Sequence, residues 1–285
     1  MAAGDVIISI CEQAGSDGSA DGVGLTQFKP DPPMSNLLTF SHGNAKLGKG
    51  TLIFSLPAGK TCPGALFCLS FAAVDDNGKR HVVDGPQTKF RCFAATSEAQ
   101  YDGPFFARAR NLQLVVEAIQ TNTAAELINN SLQKARKKNS KLVRIHESGD
   151  FFSGAYLDAW VAVARLNPDL KFYCYSKNLP LFLDANLPDN FFMTASYGGK
   201  FDHYIDAGVF PRYSKVVHND DEAEAIGLEV DHDDSHCFGD NPFALLVHST
   251  QPKGSTYGKA VWARRKAGKF SGYAKERQAS LAVKV

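Results

Sequence analysis

The sequence predicts an α/β protein on a parallel sheet, a partial or distorted (β/α) barrel of about six strands. Two observations carry that expectation. Six short β-prone runs are separated by helix-length amphipathic segments or by loops long enough for a crossover, and strands joined in that way pair in parallel. The chemically versatile side chains also collect where those runs end, as they do at the mouth of a parallel sheet or barrel. With 285 residues, 44% hydrophobic and 21% charged, the chain can bury a sizeable core.

In chain order, residues 1–40 read as an irregular leader, rich in Gly, Ser, Asp and Pro over 12–36. An α/β domain over 41–250 follows, and a basic extension over 251–285. Thr51-Leu-Ile-Phe-Ser-Leu56 is the first strand, stopped by Pro57 and Gly59. The long connection 58–101 contains Asp75-Asp-Asn-Gly78, the turn of a small hairpin. Helices are predicted over 108–121, where Leu112, Val115, Val116 and Ile119 share a face, and over 123–138, which ends in cations suited to a helix C-terminus. Leu142–His146 is the second strand. Ser153 caps a helix whose Tyr156, Leu157, Trp160, Val161 and Ala164 form one apolar face. Lys171–Ser176, Phe191–Ser196, Tyr213–His218 and Phe243–His248 complete the strands.

Alternation assigns the faces. Val143, Ile145, Phe172 and Cys174 turn toward the helices, while Arg144, His146 and Ser148, with Tyr173 and Tyr175, take the opposite side. The strand ends then present His146-Glu-Ser-Gly-Asp150, Tyr175-Ser-Lys177, Ser196-Tyr-Gly-Gly199, His218 and His248. His146, Asp150, Tyr175 and Lys177 are the candidate catalytic groups, facing a small polar ligand.

The formal charge of +1 is uninformative, but its distribution is not. Asn219–Asn241 holds nine carboxylates and no Lys or Arg, and the last 35 residues hold nine cations against Glu276 alone. The basic stretch either folds over the acidic one or reaches an acidic partner such as nucleic acid. No run approaches the eighteen or so apolar residues of a membrane span. Met1–Ser16 lacks a basic n-region and carries Asp5 and Glu12, so no secretory signal and a cytoplasmic location are expected.

In a reducing compartment, grouped cysteines point to metal binding or catalysis rather than to disulfides. Cys62, Cys68 and Cys92 lie in the one long connection, which a metal would organise. Their spacing is not that of a zinc ribbon; three thiolates suit an iron–sulfur cluster and leave one iron open. His236 or Cys237 could supply a fourth ligand, although the surrounding carboxylates suggest a solvated loop. Cys11 and Cys174 read as packing residues. Gly43-Asn-Ala-Lys-Leu-Gly48-Lys49 imitates a P-loop, but Gly50 stands where Ser or Thr belongs and a strand follows instead of a helix.

Asn44-Ala-Lys-Leu-Gly48, Leu56-Pro-Ala-Gly-Lys-Thr-Cys-Pro-Gly-Ala65, Cys92-Phe-Ala94, His146-Glu-Ser-Gly-Asp-Phe-Phe152 and Tyr173-Cys-Tyr-Ser-Lys177 resemble the phage "gene product 88" family, over about residues 40–200. A phage-encoded chain would act in the host cytoplasm. More distantly the layout resembles radical SAM proteins. That resemblance implies a 4Fe-4S cluster on Cys62, Cys68 and Cys92, with S-adenosylmethionine on the open iron. It places Glu147, Ser148 and Gly149 against that cofactor, with Ser196 at the fourth strand end. The short CxxxCxxC spacing and a Gly-Gly-Glu run are both absent. Two readings compete. One is an iron–sulfur barrel with redox or radical chemistry on an unknown small molecule; the other is a non-catalytic, metal-stabilised module contacting nucleic acid or a host protein. A third, a metal-dependent hydrolase using His146, Asp150, Asp202 and His218, leaves the thiols unexplained.

Overall fold

The computed structural model describes residues 36–43, 47–48 and 50–268. Cys11 and most of the leader lie outside them, as do four residues of the P-loop-like segment (44–46 and 49) and the last part of the basic extension.

The main sheet is built from β1 (Phe40–His42), β2 (Thr51–Phe54), β5 (Leu142–Ile145), β6 (Lys171–Ser176), β7 (Phe191–Ser196), β8 (Tyr213–Val217), β9 (Glu229–Val230) and β10 (Phe243–Leu246). Their spatial order is β1-β2-β5-β6-β7-β8-β10-β9. Only β1–β2 is antiparallel. All six predicted strands are present and pair in sequence order. The first two crossovers carry helices that cover one face of the sheet.

The predicted barrel is not seen as a closed sheet. Among the described residues no pairing joins β1 to β9. These edge strands have three and two residues, too little backbone to bridge the opening.

Three helices cover one face: α2 (Asp102–Gln120), α3 (Ala124–Ala135) and α4 (Gly154–Leu166). Phe54, Val143, Ile145, Phe172 and Cys174 meet them in one buried cluster, the face that alternation assigned. Ser153 caps α4 as expected, its hydroxyl accepting from Tyr156 N–H. At the other end Asn190 donates to the carbonyls of Ala164, Asn167 and Leu170, satisfying backbone acceptors that a helix end would otherwise leave bare. Trp160, fully buried on α4, packs edge-on to Phe54 at 5.3 Å.

On the opposite face Tyr173 and Phe243 are buried with Cys237, which a short turn over Ser235–Phe238 lays across the sheet. Cys237 is thus a packed side chain rather than part of a solvated loop. Several carboxylates of the acidic stretch find partners in this domain rather than in the basic extension. Arg144 pairs with Asp234, His236 reaches Asp231 and Glu229, and His218 pairs with Glu222. The stretch also forms α6 (Asp220–Ala225), capped by Asn219.

The cysteine loop is organised. The predicted hairpin is β3 (Ser70–Val74) with β4 (Arg80–Asp84); Asp75 accepts from the N–H groups of Asn77 and Lys79, and Gly78 turns at φ +75°. It is followed by α1 (Phe93–Gln100), a helix the apolar pattern does not announce. Two further helices are α5 (His203–Asp206) and α7 (Thr256–Lys266). No helix among the described residues is long and apolar enough to cross a membrane.

Candidate functional site

The cysteine loop leaves β2 and returns to the sheet at several points. Leu56 N–H donates to Ser148 O (2.8 Å), joining its start to the turn after β5. Ala65 N–H donates to Cys62 O (3.1 Å), closing the turn that carries the first thiol. Phe67 N–H then donates to Gly198 O (3.0 Å) and Lys200 N–H to Gly64 O (2.9 Å), stitching that turn to the loop after β7. Past the hairpin, Cys92 stands at the N-cap of α1, its N–H donating to Ser70 Oγ (2.9 Å).

By this route Cys62, Cys68 and Cys92, all free, come to line one cavity of about 470 Å³, a size typical of small-molecule sites. Burial pushes the Cys62 thiol well up, and Asp150, Cys92 and Cys68 add to it. Burial and then Cys68 raise Cys92 to about 11. Burial raises Cys68 as well, against the opposing pull of Lys177. Ionising all three would gather like charge in a place poor in water, unless a cation entered with them.

Among the described residues no three His, Cys, Asp or Glu converge closely enough to hold a single metal ion. The thiols are therefore not placed as ligands of one zinc. Ligands of a multi-iron cluster bind different irons and stand further apart, and the iron–sulfide core supplies the missing positive charge. Three cysteine thiols are the donor type that such a group takes.

Beside the thiols are the ends of β5, β6 and β7. Asp150 is buried and accepts from Phe151 N–H (2.7 Å), Ser176 Oγ (2.7 Å) and Lys177 N–H (2.8 Å). Burial outweighs these bonds and raises its carboxyl to about 6. A folded value above the ordinary one means that the folded chain holds the proton longer than the unfolded chain. The group therefore favours the fold below about pH 4, and that advantage is lost as pH rises through about 6. In urea titrations of the metal-free chain, the gap between wild type and Asp150→Asn should shift toward the variant from pH 4 to pH 7. A gap that stays flat would show an unperturbed carboxyl.

Lys177 borders the cavity, but its ammonium is committed to Ser196 Oγ (2.5 Å), Ser196 O (3.2 Å) and Tyr197 O (2.8 Å). It holds the β6 and β7 ends together beside Cys68. Tyr175 lines the wall, its hydroxyl 3.3 Å from Asp234, and the Arg144 guanidinium lies 4.3 Å above its ring. Glu147 and Ser196 also border the cavity. Ser148 is buried and donates to Glu98 (3.2 Å). Gly149 turns at φ +88°, where a Cβ would come within 2.7 Å of Leu56 Cβ and Thr61 Oγ1, so glycine is needed for the close approach of the cysteine loop.

His146 departs from the expectation. Its backbone takes φ +65°, which breaks the alternation and turns the ring away from the Arg144 face. The imidazole packs on Phe54, Phe151 and Tyr156, and Nε2 meets Tyr156 Oη at 2.9 Å. Burial, with Arg144 adding, lowers it to about 3, so the ring is neutral and serves as a packing group at the cavity's edge. Asp202 accepts from the N–H groups of Gly198 and Gly199, and His218 is paired with Glu222. The set needed for a hydrolase does not come together.

Some contributors were not foreseen. Glu98 on α1 is buried and accepts from Ala58 N–H (3.0 Å) and from Arg108 of α2 (2.9 Å), tying Cys92's helix to the start of the loop. Asp234 and Ser249, both left-handed, border the cavity with His146. Left-handed backbone is costly for residues with a Cβ and tends to gather at functional sites. Here three of the four such residues described surround one cavity.

The sequence model of the family described as Gene product 88 matches residues 36–271. The "Gene 88 protein" of Mycobacterium phage L5 is 30% identical over 169 residues, covering 52% of this chain and 62% of that protein. The protein of the same description from Mycobacterium phage D29 is 29% identical over 169 residues, covering 52% and 61%. The chain therefore spans about three fifths of the length of these curated relatives. No solved structure matches.

Proposed function

The chain belongs to the Gene product 88 family, and we propose that it is an iron–sulfur protein of a radical SAM-like, open-barrel type. In this reading Cys62, Cys68 and Cys92 hold a 4Fe-4S cluster, one iron of which is open to a small molecule. The observation that carries the reading is the delivery of three free thiols, two from the start of one loop and one from the N-cap of α1 at its end, to a single cavity bordered by the carboxyl ends of β5, β6 and β7. The sequential strand order supports the open-barrel part of it.

The chain's own groups have definable tasks. The three thiols are the ligands. Asp150, with its raised carboxyl, can carry a proton beside Cys62 near neutral pH. Glu147, Tyr175 and the Arg144–Asp234 pair offer a polar wall for orienting a small ligand, and Lys177 fixes the β6 and β7 ends that shape it. A cluster with an open iron supplies one-electron chemistry to what binds there, and S-adenosylmethionine is the candidate that the resemblance names.

Anaerobically purified protein should be brown and contain iron and acid-labile sulfide. Cys62→Ser, Cys68→Ser and Cys92→Ser should each lose both, and any variant keeping its full iron removes that residue from the ligand set. A colourless wild type that takes up no iron on reconstitution would end the proposal. An electron paramagnetic resonance spectrum of the reduced protein that ignores S-adenosylmethionine would keep the cluster and discard the radical SAM analogy.

A further inference from the structure

The two halves of the cysteine loop are held by segments that follow two different strands of the sheet, β7 and β10. The turn carrying Cys62 is stitched to the loop after β7, as described above. The half carrying Cys92 is held by the segment that follows β10. Gln251, only 9% exposed, pairs with the backbone of Arg91 as a neighbouring strand would. Its Oε1 accepts from Arg91 N–H (2.8 Å), and its Nε2 donates to Arg91 O (3.1 Å) and to His248 O (2.9 Å). On the other side of Cys92 the Phe93 ring packs against His248, with centroids 4.8 Å apart.

Beneath this clasp Phe90, Val247 and Val261 form a buried cluster, against which Cys68 and Tyr257 also pack. The C-terminal helix α7 supplies Tyr257 and Val261, and its Arg264 donates to Val247 O. The segment after β10 is therefore part of the wall that holds two of the three thiols.

We propose that Gln251 is a positioning residue for Cys92, clamping the residue before it so that the third thiol reaches the cavity only when the segment after β10 has docked. The side chain is suited to this task. An amide both donates and accepts, and each of its groups finds a part-buried backbone partner, which makes its loss costly and local. Neither Glu nor Ala can make all three bonds.

The test follows the thiols in the full-length metal-free chain, alkylated by iodoacetamide under native conditions, with each cysteine quantified by peptide mass mapping. Circular dichroism confirms that each variant is folded. Gln251→Ala should raise the Cys92 rate about tenfold while Cys62 changes by less than about twofold. Gln251→Glu keeps the acceptor for Arg91 N–H but sets a carboxylate oxygen against the carbonyls of Arg91 and His248, so it should raise the Cys92 rate at least as much, with the same selectivity. It decides the matter if the alanine variant does not fold. An unchanged Cys92 rate in a folded variant would overturn the proposal, and so would an equal rise at all three cysteines, which would mean general loosening.

Iron per chain after anaerobic reconstitution is the second readout, and it should fall in both variants. It rests on the iron–sulfur reading above. Were the wild type to take up no iron, that reading would fail while the ratio of Cys92 to Cys62 alkylation still decided the role of Gln251.

Discussion

Glu98→Ala is expected to lower the thermal midpoint by about 10 °C, although the residue lies outside the cavity wall. Glu98 and Arg108 are both buried, 2.9 Å apart, and Ala58 N–H also depends on the carboxylate. Removing one partner of a buried pair strands the other charge, at a cost of about 3–5 kcal/mol, and the lower end applies to Arg108, which keeps Glu147 at 3.9 Å. For a domain of this size each kcal/mol moves the midpoint by about 2–4 °C. Glu98→Gln keeps an acceptor for Ala58 N–H and should lose less. Adding Arg108→Met to Glu98→Ala removes the stranded guanidinium and should restore part of the loss. Calorimetry of wild type, Glu98→Ala, Arg108→Met and the double variant closes the cycle. A Glu98→Ala midpoint within about 2 °C of wild type, less than about 1 kcal/mol, would mean that the pair holds nothing. Because α1 carries Cys92 at its N-cap, the same variant should also raise the alkylation rate of Cys92 in the metal-free chain.

The sequence makes the strands legible wherever β-branched and aromatic residues run together. Lys171–Ser176 and Phe191–Ser196 agree with the structure to the residue, and four others differ by one or two at the end. The hairpin is legible because Asp75, Asn77 and Gly78 act through local hydrogen bonds and a left-handed turn. What is missed depends on tertiary context. Phe93–Gln100 forms α1 without an apolar stripe, because it packs through small residues, Ala94 and Ala95, against Ala58 and Val82. β1 and β9 are too short to stand out from their neighbours.

The site shows the same division. Three grouped cysteines in an overlong loop are visible as composition. The buried link from Glu98 to Arg108 is not, since both are ordinary residues on a helix surface until the fold excludes water from them. His146 is a subtler case. Alternation placed it with Arg144, and one residue at φ +65° reversed it, a change no periodicity can carry.

Gly64→Ala should dislodge the cysteine turn while leaving the sheet folded. A Cβ at Gly64 would lie 2.3 Å from Lys177 O, 2.5 Å from Lys177 C and 2.8 Å from Asn178 N. All three are backbone atoms at the end of β6, so no change of rotamer can make room. The neighbouring contacts leave little slack either. Gly64 O accepts from Lys200 N–H, and Ala65 bridges Gly199, where a Cβ would in turn meet Gly64 O at 2.8 Å. One added methyl must therefore push the Cys62 turn off the β6 end or bend that end itself. Overpacking of this kind costs about 3 kcal/mol where nothing can yield. Gly103→Ala is the matched control. Gly103 lies in the first turn of α2 with nothing within 4 Å of the added methyl, so the change should be neutral or stabilise by up to about 1 kcal/mol. Urea titration measures the stability difference, and iodoacetamide on the metal-free chain reads the turn directly, with Cys62 and Cys68 becoming more reactive in Gly64→Ala alone. A Gly64→Ala protein with wild-type stability and wild-type thiol protection would show that the turn does not depend on its contact with β6. The strand ends and the thiols would then be neighbours without being coupled.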